Sequence, residues 1–131
     1  MDESITSRPR GGVATHLHVT ITDIATGVTC CTLTGVVDLA TGPQLEKQLM
    51  EAIGLQDCDV VLDLSELEFI GSIGLRIISG THKALENSRR HLALVVDDNL
   101  VVTRPLQVTG LDKVLDVHSE LSTAVQACLD S

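Results

Sequence analysis

In HLHVTI, His16 to Ile21, apolar Leu17, Val19 and Ile21 alternate with His16, His18 and Thr20. A period of two belongs to a strand with one face turned inward. VTCCTLTG, Val28 to Gly35, follows a turn marked by Gly27, and the two runs predict an antiparallel hairpin. The period then changes. In TGPQLEKQLMEAIG, Thr41 to Gly54, the apolar residues Leu45, Leu49, Ala52 and Ile53 recur at helical spacing between Pro43 near the start and Gly54 at the end.

CDVVLDL, Cys58 to Leu64, is rich in branched apolar residues, the signature of a strand buried on both faces of a parallel sheet. SELEFIG predicts a turn, and SIGLRIISGTHKALENS a second helix that begins at or next to Ser72, with Ile73, Ile77, Ile78, Thr81 and Leu85 on one face. HLALVV, His91 to Val96, is the next buried strand. Asp97, Asp98 and Asn99 offer caps for a helical segment that ends at Gly110 and is either short, starting near Pro105, or kinked there. KVLDV, Lys113 to Val117, predicts a last strand. Ser119 is placed to cap a final helix whose inner face carries Leu121, Ala124, Val125 and Cys128. The fold class is α/β: a mixed β-sheet with an N-terminal antiparallel hairpin, alternating helices and right-handed crossovers. Residues 1–15 are polar and small with no period that would bury a face, which predicts a flexible tail before one domain, 16–131.

Composition narrows the partners. The 131 residues are 44% apolar with Phe69 as the only aromatic, so the core is built from Val, Leu, Ile and Ala. Eighteen acidic residues against nine basic ones give a net charge of -9, and no stretch gathers Lys and Arg on one face. Such a surface repels nucleic acid and lacks aromatic platforms for single strands, so direct DNA binding is not expected, and a protein partner is. No run approaches the ~20 apolar residues of a membrane span, and the first residues lack the pattern of a secretory signal, which places the chain in the cytoplasm.

Much enzymatic chemistry is missing. Neither G-x-G-x-x-G nor G-x-x-x-x-G-K-[ST] occurs, and IGSIG sets Ser72 directly after Gly71, unlike a G-x-S-x-G nucleophile elbow. Asp38 and Asp63 follow or end strands, but the acidic pair and late Lys of a phospho-receiver are absent. The five histidines show no pairing with an acid or another His at ligand spacing inside a helix, and His16 and His18 fall on the solvent side of the hairpin. Cys30, Cys31, Cys58 and Cys128 lack C-x-x-C spacing, and adjacent Cys30 and Cys31 must point to opposite sheet faces; four buried apolar thiols are the simplest reading. No catalytic residue, metal site or cofactor is expected.

Ser72 remains. A serine at a helix start is a good N-cap, and the same position makes it reachable by a kinase, with a phosphate lying against the positive end of the helix dipole.

LTGVVDLATGPQLEKQL, VVLDLSELEFIGSIGLRII and PLQVTGLDKVLDV, together with the order of elements, resemble the STAS domain of bacterial anti-anti-sigma factors, also called anti-sigma factor antagonists. The resemblance implies the STAS fold and a non-enzymatic regulator, a monomer or weak dimer, that binds an anti-sigma factor of the serine kinase type and frees a sigma factor. It implies that Ser72 is the phosphorylated serine, that Asp38 is the acidic residue of the first loop, and that Asp38, Gly71, Ser72, Ile73 and Gly74 meet the partner. Three positions depart from the family pattern: Gly71 stands where Asp is usual, Ile73 where Ser or Thr is usual, and Val36 where Glu is usual. A different class remains open, a STAS scaffold or sensor module of a signalling assembly, thiol-regulated and without a phospho-switch.

Overall fold

A computed structural model describes residues 15–55 and 57–131. The tail expected over 1–15 lies outside the described residues except for Thr15. Five strands, β1 (Leu17–Ala25), β2 (Val28–Val37), β3 (Asp59–Ile70), β4 (Leu92–Val95) and β5 (Asp116–His118), form one sheet in the order β1-β2-β3-β4-β5. β1 and β2 pair antiparallel and the others parallel, so the sheet is mixed as the periodicity predicts. The helices among the described residues are α1 (Gly42–Leu55), α2 (Ser72–Asn87), α3 (Leu100–Thr109) and α4 (Leu121–Asp130), with a 3-10 turn at Leu111–Lys113.

The strands sort their side chains by parity. Cys31, Leu33, Leu62, Leu64 and Leu94 pack with Leu45 and Leu49 of α1, Leu75, Ile78 and Leu85 of α2, and Val102 and Leu106 of α3. Val28, Cys30, Val61, Ala93 and Val95 form a smaller cluster with Ala124 and Cys128 of α4. Three helices therefore cover one face and a single helix covers part of the other. Each fully buried Leu or Val removes apolar surface worth about 1.5–3 kcal/mol from water.

Two glycines make the arrangement possible. Gly35 has φ +101, and a Cβ there would collide with the carbonyl oxygen of His16, which accepts the Val36 N–H at 2.9 Å. On α2, a Cβ at Gly74 would lie 2.6 Å from Ile70 Cγ1 and 2.8 Å from Val37 Cγ1, so the first turn of the helix rests directly on the ends of β2 and β3.

Several boundaries differ from the sequence expectation. SELEFI, Ser65 to Ile70, is strand, not turn, and Gly71 caps the helix that follows. Thr32 and Thr34 of β2 face Asp63 and Glu66, and Gly35 and Val36 face Leu67 and Phe69, so β3 carries an extra residue at each irregularity. The Asn99 side-chain amide donates to the carbonyls of Leu64, Ser65 and Leu67 at 3.1, 3.2 and 2.9 Å, in the stretch of β3 beyond its last pairing with β4 at Asp63. The Asn99 Oδ1 also accepts the Val101 N–H, so α3 starts at Leu100, well before Pro105, and runs through it; the missing N–H leaves the Val101 carbonyl without its helical donor. β5 begins three residues after Lys113, which belongs to the 3-10 turn. The final helix is capped at Glu120 rather than Ser119, without a side-chain cap bond. On α2 the buried face is Gly74, Leu75, Ile78, Thr81 and Leu85, with Ile73 and Ile77 only half-buried at its margin.

Gly74→Ala is expected to cost about 1–3 kcal/mol because Val37 and Ile70 must shift. Gly80→Ala on the same helix meets nothing within 4 Å and is expected to stabilise by up to about 1 kcal/mol through helix propensity. Urea unfolding midpoints of the two variants check this pair.

Candidate functional site

The sheet brings Asp38, after β2, and Ser72, after β3, to the same carboxyl edge. The Gly71 N–H donates to the Val37 carbonyl at 2.8 Å, which ties the two strand ends together. A shallow recess there is lined by Asp38, Leu39 and Ala40 on one side and Phe69, Gly71, Ser72 and Ile73 on the other. Four of the five predicted partner residues thus meet in one place. Gly74 lies outside the recess, buried against the sheet.

Ser72 is not the helix cap that the sequence suggests. Gly71 holds that position in extended conformation, φ -92 and ψ -179, and its carbonyl accepts the N–H groups of Gly74 and Leu75. Ser72 becomes the first helical residue, exposed, and its hydroxyl makes no hydrogen bond among the described residues. An unbonded hydroxyl at the positive end of a helix is chemically available, and an anion there is favoured by the dipole and the free N–H groups of the first turn.

Asp38 has a structural task. Its Oδ1 accepts the N–H groups of Ala40 and Thr41, each at 3.0 Å, while buried Thr41 donates its hydroxyl to the Val36 carbonyl at 2.8 Å and accepts the Asp38 N–H at 3.0 Å. This network fixes the loop from β2 into α1. It leaves Leu39 79% exposed at the tip. Ile73 reaches back toward α1, where a Cβ on Gly42 would come within 3.0 Å of its Cδ1. A Ser or Thr there would offer less apolar surface to that contact. Leu39 and half-exposed Phe69 are site residues that periodicity passes over. The available signal was an apolar residue inside a loop and the chain's only aromatic beside a helix start.

A second polar constellation also escaped the sequence. The Nε2 of His91 pairs with Asp116 Oδ2 at 2.7 Å, and that of His118 lies 2.9 Å from Oδ1. The His118 Nδ1 meets the Thr123 hydroxyl of α4 at 3.1 Å. These groups are 25 and two positions apart in the chain, which no local spacing rule connects. Within a helix, His82 does lie 3.9 Å from Glu86 one turn on, a pairing the sequence reading did not anticipate. His16 and His18 are exposed, as expected. Burial raises Asp116, but the His91 bond and the nearness of His118 outweigh it and hold the carboxyl below its ordinary value. The ionised form is therefore favoured by folding. Its contribution is complete above the unfolded pKa, near 4, and is lost as pH falls through the lower folded value. Asp116→Asn is expected to be less stable at neutral pH and to show a flatter loss of stability below about pH 4, read from urea midpoints across that range.

All four cysteines are free and buried, with Cys30 and Cys31 in opposite clusters. Burial pushes Cys31 and Cys128 up to about 12 and raises Cys30 as well, which keeps these thiols protonated at neutral pH. The native protein is expected to react slowly with a thiol reagent and to show four free thiols once unfolded, whether stored under oxidising or reducing conditions.

Among the described residues no helix is long and apolar enough to cross a membrane. An exposed serine at a helix start thus stands beside a loop pinned by an aspartate, at the carboxyl edge of a mixed sheet. The STAS domain family model matches residues 20–124, and the chain belongs to that family. It is 35% identical over 109 residues to the anti-sigma-F factor antagonist RsfB of Mycobacterium tuberculosis, covering 83% of this chain and 87% of the relative. It is 34% identical over 93 residues to the anti-sigma F factor antagonist of Paenibacillus polymyxa, covering 70% and 79%. Among solved structures, an anti-sigma factor antagonist from Mycobacterium paratuberculosis superposes with a TM-score of 0.79 at 29% identity, covering 86% of this chain and 94% of the other.

Proposed function

We propose that this chain is an anti-sigma factor antagonist without enzymatic activity of its own. Its Asp38–Ser72 face binds a cytoplasmic anti-sigma factor of the serine kinase type, which then releases a sigma factor; phosphorylation of Ser72 by that partner ends the association. The chain acts as a monomer or weak dimer, without direct contact to DNA. The observation that carries the reading is the exposed, unbonded Ser72 hydroxyl inside the recess, in a chain similar to two named antagonists.

Physical chemistry accounts for a switch at this position. A phosphoserine brings about -1.5 to -2 charges, and the first turn of α2 stabilises them within the free protein because its N–H groups and dipole are positive. The same charges sit among Leu39, Ala40, Phe69 and Ile73. Covering them with the apolar part of a partner face would strip their water, which opposes docking. The chain's net charge of -9 selects a basic partner face, but a phosphate buried at an apolar contact still weakens it. Gly71, where the family pattern has Asp, removes one negative charge beside the acceptor. Kinase recognition of this serine is therefore the property to measure.

Incubation with the anti-sigma factor and ATP is expected to place one phosphate on the wild-type chain and none on Ser72→Ala. Ser72→Ala should bind the anti-sigma factor like the wild type, and Ser72→Asp about tenfold or more weakly, equivalent to roughly 1.4 kcal/mol. Equal binding by Ser72→Asp, together with no incorporated phosphate, sinks the switch.

A further inference from the structure

Folding leaves two large apolar side chains uncovered in the recess that holds Ser72. Leu39 is 79% exposed and Phe69 50% exposed, and both line the recess. Isolated apolar residues are common on surfaces, but two that frame one recess mark a contact.

Each is held in place by its surroundings. The Asp38 and Thr41 hydrogen bonds pin the backbone on both sides of Leu39. A loop already fixed loses little freedom when a partner covers its tip. Phe69 lies over Gly71: a Cβ at residue 71 would approach its Cε2 to 3.3 Å and its Cζ to 3.7 Å. Any side chain at 71 crowds the ring from that side, so the glycine that replaces the usual aspartate also determines where the aromatic rests.

We propose that Leu39 and Phe69 are the apolar anchors by which this chain recognises its anti-sigma factor, and that Gly71 is a positioning residue that sets the pose of the Phe69 ring. The inference rests on the reading of the Asp38–Ser72 face as the partner surface. Charge supplies the chemistry of the partner. The chain carries a net charge of -9, Asp38 lines the recess, and exposed Asp97 and Asp98 follow β4 at the same carboxyl edge of the sheet. The matching face offers an apolar recess bordered by Lys and Arg, with the anchors supplying affinity and the charges orientation and association rate.

Calorimetric titration of the full chain against the anti-sigma factor tests this. Leu39→Ser and Phe69→Ala are each expected to weaken binding about tenfold or more, without lowering urea midpoints. Val108→Ser, at an 87% exposed position on α3, is the control and should bind like the wild type. Gly71→Ala should weaken binding in the wild-type background and have no further effect in Phe69→Ala, because the glycine acts through the ring. Anchor variants that bind like the wild type overturn the inference. If Ser72→Asp still loses binding in that case, the antagonist reading stands. A wild-type chain that does not bind overturns both. An additive loss in the Gly71→Ala, Phe69→Ala double variant overturns the positioning role alone.

Discussion

Gly74 rests on Val37 and Ile70 with no room for a methyl group, and the position of Ser72 follows from that contact. Because α2 touches the sheet at its first turn, the helix start cannot drift from the strand ends. The Gly71 N–H bond to the Val37 carbonyl then draws β2 and β3 together at the same point. The loop after β2 must pass beside the start of α2, which is how Asp38 and Ser72 become neighbours. A larger residue at 74 would lift the helix and separate the two halves of the recess.

Stability and recognition are carried by different parts of the molecule. Leu, Val and Ile side chains sorted onto two sheet faces hold the fold, with the thiols protonated among them. The His91–Asp116–His118 group joins β4 to β5 and, through Thr123, to α4. It lies at the far edge of the sheet from β1 and takes no part in the recess. At the recess the polar groups divide: Asp38 and Thr41 shape a loop, while the Ser72 hydroxyl keeps no partner among the described residues. That hydroxyl lies at a helix start beside exposed Leu39 and Phe69.

Much of the architecture was legible because its signals are local. The period of two in HLHVTI, the helical spacing of Leu45, Leu49 and Ala52, and the all-apolar HLALVV each specify an element within a few residues, and each element is present. The extension of β3 through SELEFI was hidden because its irregularities are stabilised by Asn99, some 32–35 residues away. Ser72 was visible as the helix start, and only the cap falls one residue earlier, at Gly71. Gly71, extended and without a side chain to add, supplies the carbonyl that begins the helix, so the serine is displaced into the first turn with its hydroxyl unused.

By itself, the sequence determined the α/β class, the order of elements, the parity that separates Cys30 from Cys31, and the acidic surface that favours a protein partner. These follow from periodicity, backbone geometry and charge, which neighbouring residues or simple sums decide. Tertiary structure alone decided that Leu39 and Phe69 line one recess with Ser72 and that His91 reaches Asp116. Leu39 and Phe69, like His91 and Asp116, lie many residues apart in the chain, and their distances exist only once the sheet has set its strand order and the helices have closed on it.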